Sequence, residues 1–193
     1  MAKITLLGRE TAVLTNDIKN MIEAQLGVEV NKLHPDTFLA GNYDPTDEFL
    51  ITYQTEMPKR QQIVDKLNVN NLKRATFVHS SSIVDPTAVI HPGTFIGPFC
   101  IVAYEVVVGP DCLVAPYTLL SHRAALGEGS ITNPGATIAG TVKVGRYCLM
   151  GIRCVTVDQI DICDFTVVGP NAFITKTITE PGGRYLGSPA RRV

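Results

Sequence analysis

Between Val84 and Ile174 every sixth residue is aliphatic, methionine or threonine, and the register never slips. The column reads Val84, Ile90, Ile96, Val102, Val108, Val114, Leu120, Leu126, Thr132, Ile138, Val144, Met150, Thr156, Ile162, Val168, Ile174. A six-residue period fits neither the 3.6-residue repeat of a helix nor the alternation of an ordinary strand. It fits short flat strands joined by corners, three to a coil, stacked as a parallel β-helix. Sixteen sides at three per coil make roughly five coils of 18 residues, rising about 4.8 Å each.

The neighbouring columns agree. Four residues after each aliphatic stands a small residue such as Ala88, Thr94, Cys100, Cys112, Ala124, Ser130, Ala136, Cys148 or Cys154, and only Ile160 is bulky. A narrow triangular prism packed at interior density needs one large and one small inward residue per side. The position after the aliphatic carries Gly97, Gly109, Gly127, Asn133, Gly145, Gly151 and Gly169, and predicts the positive φ of a tight corner. The next position holds seven of the twelve prolines, where a residue unable to donate to a ladder can turn the chain.

Four of the five cysteines fall in the small inward column, and no C-x-x-C spacing is present, so they read as buried thiols in a reducing cytoplasm. Seventeen basic and eighteen acidic residues leave a net charge of −1 with no basic stripe, which speaks against nucleic acid as a partner. No leader and no apolar run near 20 residues predict a cytoplasmic chain without a membrane span.

Residues 1–78 lack the period and read as a small α/β domain with a parallel sheet. Expected strands lie at Ile4–Leu7, Val28–Val30, Phe49–Tyr53 and Ala75–Val78. A helix over Thr11–Leu26 stops at Gly27, another opens at Pro58, and His34–Asp47 reads as loop. Residues 79–193 form the expected β-helix domain with its C-terminal tail. Seventy-odd residues make a thin core, so the head is expected to lean on the β-helix or on a partner.

This layout, closing on Gly187-Ser188-Pro189-Ala190-Arg191-Arg192, resembles the bacterial sugar O- and N-acyltransferases with hexapeptide repeats. Among them are sialic-acid O-acetyltransferases and nucleotide-amino-sugar N-acetyltransferases. The resemblance implies a left-handed coil, a homotrimer, and acetyl-CoA lying between neighbouring prisms. It further implies a sugar or nucleotide-sugar as small-molecule acceptor. It carries the general base to His122 and the thioester-contacting glycine to Gly140, with the pantetheine groove at Gly151, Ile152, Gly169 and Pro170. Arg191 and Arg192 are implied near the CoA phosphates. Gly8, in the turn after the first strand, is the implied substrate-side residue, and Tyr104 is read as another from its place in the repeat.

The repeat itself places His122 outward at a prism edge, with Tyr104 one coil before and Gly140 one coil after. A glycine there leaves room for a substrate atom and offers an N–H as oxyanion donor. Imidazole ordinarily titrates near pH 6.5 or so, suiting it to take a proton from an amine or hydroxyl. Where the family has an acid after this histidine, Arg123 stands here, one coil from Glu105. A carboxylate orienting His122 is therefore expected from Glu128 or from a neighbouring subunit. His34 reads as surface, and His79 and His91 as turn or packing residues. His91 and His122 lie 31 residues apart, not a multiple of 18, so no metal site is expected. The competing reading is a β-helical relative that has lost transferase chemistry and serves as a binding or assembly subunit.

Overall fold

The computed structural model describes residues 3–193. The head is a four-stranded parallel sheet in the order β2-β1-β3-β4, formed by β1 Ile4–Leu7, β2 Val30–Leu33, β3 Glu48–Ile51 and β4 Lys73–Arg74. Leu6, Leu7, Phe49, Leu50 and Ile51 are all buried, the continuous apolar run of strands covered on both faces. Helix α1, Val13–Leu26, buries Ile18 and Ile22 and ends at Gly27, whose φ of 66° lets its N–H reach Glu23 O. Helix α3, Met57–Val69, opens with Pro58 in its first turn and buries Ile63, Val64 and Leu67.

Several boundaries differ from the sequence reading: the first helix begins at Val13 rather than Thr11, and the third strand spans Glu48–Ile51 rather than Phe49–Tyr53. The second strand begins at Val30 rather than Val28. The stretch expected as loop contains a short helix α2, Pro35–Leu39, capped by His34, whose Nδ1 accepts from the Asp36 N–H at 3.3 Å. Burial of Phe38, packed against Tyr43 and Phe49, is the tertiary contact that local turn signals do not reveal. The strand expected at Ala75–Val78 is confined to Phe77–Val78, and a separate strand precedes it. Lys73–Arg74 completes the head sheet against Glu48–Phe49, and Phe77–Val78 pairs with Phe95–Ile96 as the first side of the β-helix.

The remainder is a left-handed parallel β-helix of about six turns. Up to Ile174 its three sheets are built from two-residue strands that pair 18 residues apart, as in Leu113↔Ile131, Leu119↔Thr137 and Val107↔Ala125. One more turn is present than the aliphatic column implies, because Phe77–Val78 precedes it and Arg184–Leu186 extends it in parallel with Val167–Val168. Arg191–Arg192 then pairs antiparallel with Tyr185–Leu186 and covers that sheet's last edge. Ile96, Val102, Val108 and Val114 are fully buried along the axis.

The corners work differently from the sequence expectation. Positive φ falls not on the glycine column but two residues later, at Phe99, Glu105, Asp111, Tyr117, Arg123 and Tyr147. Each left-handed residue of this kind costs about 1 kcal/mol. The corner N–H groups offset it with bonds to the preceding coil, as in Arg123 N–H to Tyr104 O at 2.8 Å. The glycines serve close stacking instead: a Cβ on Gly127 would lie 2.5 Å from the backbone of Gly145, and one on Gly151 as near to Gly169.

Cys100, Cys112, Cys148 and Cys154 are buried free thiols, and Cys163 is half-buried. Burial pushes Cys112, Cys148 and Cys154 up to about 12 and raises Cys100 as well. Treating native protein with a neutral-pH alkylating reagent should label at most Cys163, whereas all five should react in denaturant. Rapid labelling of the four inward thiols in the native state would contradict this packing.

The head covers one face of the prism, its core running without a break into Phe77, Phe95, Leu113 and Ile131. At this seam the Arg60 side chain is wholly buried. Its guanidinium donates to Gly129 O at 2.9 Å, Tyr53 O at 2.6 Å, Ile51 O at 3.3 Å and Asp111 O at 2.5 Å. Desolvation lowers the guanidinium to about 10. The buried Asp111 carboxylate accepts from Arg74 Nε at 2.9 Å, and burial raises its carboxyl against the pull of Arg74.

Candidate active site

One prism edge carries, at 18-residue intervals, Pro86, Tyr104, His122, Gly140, Asp158 and Lys176. Backbone bonds fix the stacking of His122, Gly140 and Asp158: Thr141 N–H donates to His122 O at 2.9 Å, and Gln159 N–H to Gly140 O at 2.9 Å. This edge joins the sheet of Leu119–Leu120 to that of Ala125–Leu126, so it lies opposite the face that carries the head.

The His122 imidazole is exposed and lies across Gly140. A Cβ at position 140 would sit 2.4 Å from Cε1, 2.5 Å from Nε2 and 3.1 Å from Nδ1, so only glycine admits this ring placement. Nδ1 lies 3.2 Å from Ser121 Oγ, leaving Nε2 over the glycine. Arg123 pairs with Glu105 at 2.7 Å, and its guanidinium carbon stands 5.7 Å from the centre of the exposed Tyr104 ring. Hydrogen bonds from Arg123 and then Tyr104 hold the Glu105 carboxyl below its usual range, while the same network raises Tyr104. Being solvent-exposed, the pair adds little stability, but it directs the cation of Arg123 towards Glu105.

Two expectations change here. The Gly140 N–H, expected as a free oxyanion donor, is already bonded to Asp158 Oδ1 at 2.9 Å. The adjoining Ala139 N–H goes to Thr156 Oγ1 at 2.9 Å. Side chains thus replace part of the ladder where only Thr137↔Val155 remains paired. Glu128 does not approach His122 either; it lies at another corner and accepts from the Tyr147 hydroxyl at 3.2 Å. Asp158 and Lys176 escaped the sequence reading, although spacings of twice and three times 18 from His122 would have flagged them.

The other expected site residues are dispersed. Gly151, Ile152, Gly169 and Pro170 occupy the next edge, across the sheet whose outward row is Ile83, Ile101, Leu119, Thr137, Val155 and Phe173. Ile152 is about half exposed, at 48%. Arg191 and Arg192 line a cleft of about 370 Å³ with Thr175, Lys176 and Thr177, at the C-terminal end of the His122 edge. Arg192 is paired with Glu180. Gly8 lies in the head under the Thr15 and Thr52 hydroxyls, which would meet a Cβ there at 2.6 and 2.0 Å. Within one chain the head therefore sits away from His122. His79 Nδ1 contacts Ser81 Oγ at 2.9 Å, and His91 stands at a different corner from His122. Among the described residues, no three His, Cys, Asp or Glu side chains are grouped to hold a metal, and no helix is long and apolar enough to cross a membrane.

Residues 87–122 match the bacterial transferase hexapeptide family (six repeats). That match lies wholly within the β-helix. The chain is similar over 66 residues to UDP-3-O-acylglucosamine N-acyltransferase of Cupriavidus metallidurans, at 32% identity, covering 34% of this chain and 18% of that protein. A similar match to UDP-3-O-acylglucosamine N-acyltransferase 2 of Sulfurimonas denitrificans reaches 30% identity over 70 residues, 36% of this chain and 22% of that protein. The chain thus matches about a fifth of the length of these curated relatives. Among solved structures, the acetyltransferase domain of PglB from Neisseria gonorrhoeae superposes with a TM-score of 0.85 at 19% identity, covering all of both chains. A mutant GDP-perosamine N-acetyltransferase from Caulobacter crescentus, in complex with CoA and GDP-perosamine, gives 0.83 at 14% identity, covering all of this chain and 97% of that one. WeeI from Acinetobacter baumannii gives 0.77 at 16% identity over both complete chains. At these identities the hexapeptide-repeat solenoid and its α/β head are what is shared: the fold.

Proposed function

We propose that this hexapeptide-repeat protein is a CoA-dependent acyltransferase that moves an acetyl group from acetyl-CoA to an amine of a sugar or nucleotide-sugar. The observation that carries the reading is the imidazole laid flat over Gly140 on an exposed edge. Nε2 faces the one place in the column where no side chain fills the space. With Ser121 Oγ accepting from Nδ1–H, Nε2 keeps its lone pair and takes the proton of the attacking group.

The donor would run down the same edge. Lys176 stands three coils, about 14 Å, beyond His122, and with Arg191 and Arg192 it supplies cations for CoA phosphates. The apolar row from Ile83 to Phe173 lies between the His122 edge and the edge of Gly151, Ile152, Gly169 and Pro170. A threefold assembly that turns this row inward sets each His122 edge beside a neighbour's Gly151 edge, closing a groove around the pantetheine. Because the head lies opposite its own His122 edge, an acceptor gripped near Gly8 meets the His122 of another protomer. Tyr104, exposed one coil before His122, lines the acceptor side. The protein named in its complex with CoA and GDP-perosamine supports this choice of ligands.

A second reading, a binding or assembly subunit without chemistry, is favoured by one observation: the Gly140 N–H is spent on Asp158. Calorimetry with acetyl-CoA, acetyl transfer to a nucleotide-linked amino sugar, and sedimentation velocity separate the two. The enzyme should bind acetyl-CoA, acetylate the amine and sediment as a trimer at micromolar concentration. No heat of binding at millimolar acetyl-CoA would leave the second reading, and a monomer would remove the shared groove.

A further inference from the structure

The His122 edge holds a second ionisable group that the acyltransferase reading does not use. Asp158, two coils beyond His122, is exposed, and its Oδ1 reaches back to the Gly140 N–H at 2.9 Å. The imidazole reaches forward over the same glycine. The two side chains thus flank Gly140 from opposite directions along the axis. They do not touch each other: among the described residues no ion pair joins them, while Arg123 is committed to Glu105. A group placed over Gly140 has an imidazole on one side and a carboxylate on the other.

We propose that Asp158 is a specificity-determining residue, whose carboxylate receives the acceptor's protonated amine and holds it beside His122. The inference rests on the acyltransferase reading of this edge and deepens it, giving a reason for amine over hydroxyl acceptors. An ammonium donates a hydrogen bond to the Asp158 carboxylate and pairs with its opposite charge, whereas a hydroxyl at the same place donates the hydrogen bond alone. The chemistry then balances. His122 Nε2 takes one proton from the ammonium and passes it to solvent, freeing the nitrogen lone pair. That nitrogen bonds the acetyl carbonyl carbon and loses its second proton to His122. As the carbon–sulfur bond breaks, the imidazolium returns that proton to the departing CoA thiolate. The products are the amide, CoA thiol and one proton in solution.

The test compares glucosamine with glucose, which differ at one position by an amine in place of a hydroxyl. Binding is followed through the His122 ring resonances of the full chain, and acetyl transfer is assayed in parallel. Asp158→Asn keeps an oxygen for the Gly140 N–H and removes only the charge. Wild type should bind glucosamine at least tenfold more tightly than glucose, and in Asp158→Asn that ratio should fall to about one. The change in transfer should appear in the KM for glucosamine, with kcat little altered. An unchanged binding ratio in the variant overturns the proposal, as does the absence of any preference in wild type. If the preference exists and vanishes in the variant while no acetyl transfer is seen, the role of Asp158 in amine recognition stands and the enzymatic reading fails.

Discussion

Asparagine in place of His122 should lower acetyl transfer a hundred- to ten-thousandfold, roughly the span a positioned general base supplies. Folding should be untouched. His122 is exposed, its Nδ1 meets Ser121 Oγ at 3.2 Å, and the coil bonds at this corner use its backbone carbonyl rather than its side chain. Surface changes of this kind shift stability by about 0.5 kcal/mol or less. The melting temperature and acetyl-CoA affinity of the variant should therefore match wild type, placing the loss in the chemical step. Gly140→Ala is the companion, since its methyl group would occupy the space within 2.5 Å of Nε2 and push the ring aside. Transfer that survives His122→Asn undiminished removes the imidazole from the mechanism.

The second large effect belongs to the seam. Arg60→Met should destabilise the protein by about 3–5 kcal/mol, because it strips the donor from buried carbonyls that have no water to turn to. Gly129 O and Asp111 O lie on the β-helix and Ile51 O and Tyr53 O on the head, so one guanidinium ties the two together. For a chain of this size the loss corresponds to a fall in melting temperature of about 10 °C. Arg60→Lys should recover only part of it, since one ammonium cannot span the fork of four carbonyls. Thermal unfolding by circular dichroism checks both variants. A melting point within 2 °C or so of wild type for Arg60→Met would show that the seam does not depend on this side chain.

The β-helix was legible from its aliphatic column because burial along a narrow axis imposes a strict period. The same period put His122 and Gly140 on one edge. What the column could not reveal is which corner residue takes the left-handed conformation. Glycine at Gly127 and Gly151 answers to the approach of the next coil, not to φ, and both demands select the same residue type. Asp158 stayed hidden for a related reason: an acid at a corner reads as solvated surface until its hydrogen bond to Gly140 is known. In the head, short-range signals found the larger helices and the sheet, but the assignment of Lys73–Arg74 to one sheet and Phe77–Val78 to another depends on pairing partners far along the chain.

The stacking of Tyr104, His122, Gly140 and Asp158 has a consequence for how such a chain can change length. Adding eighteen residues beyond Lys176 lengthens the tower and leaves every storey above it aligned. Adding six between His122 and Gly140 carries all that follows one-third of the way round, parting the imidazole from its bare floor while every inward aliphatic still finds the axis. Such a protein would fold soundly and be chemically mute, so for this architecture the arithmetic of insertions, more than their size, separates harmless change from loss of the site.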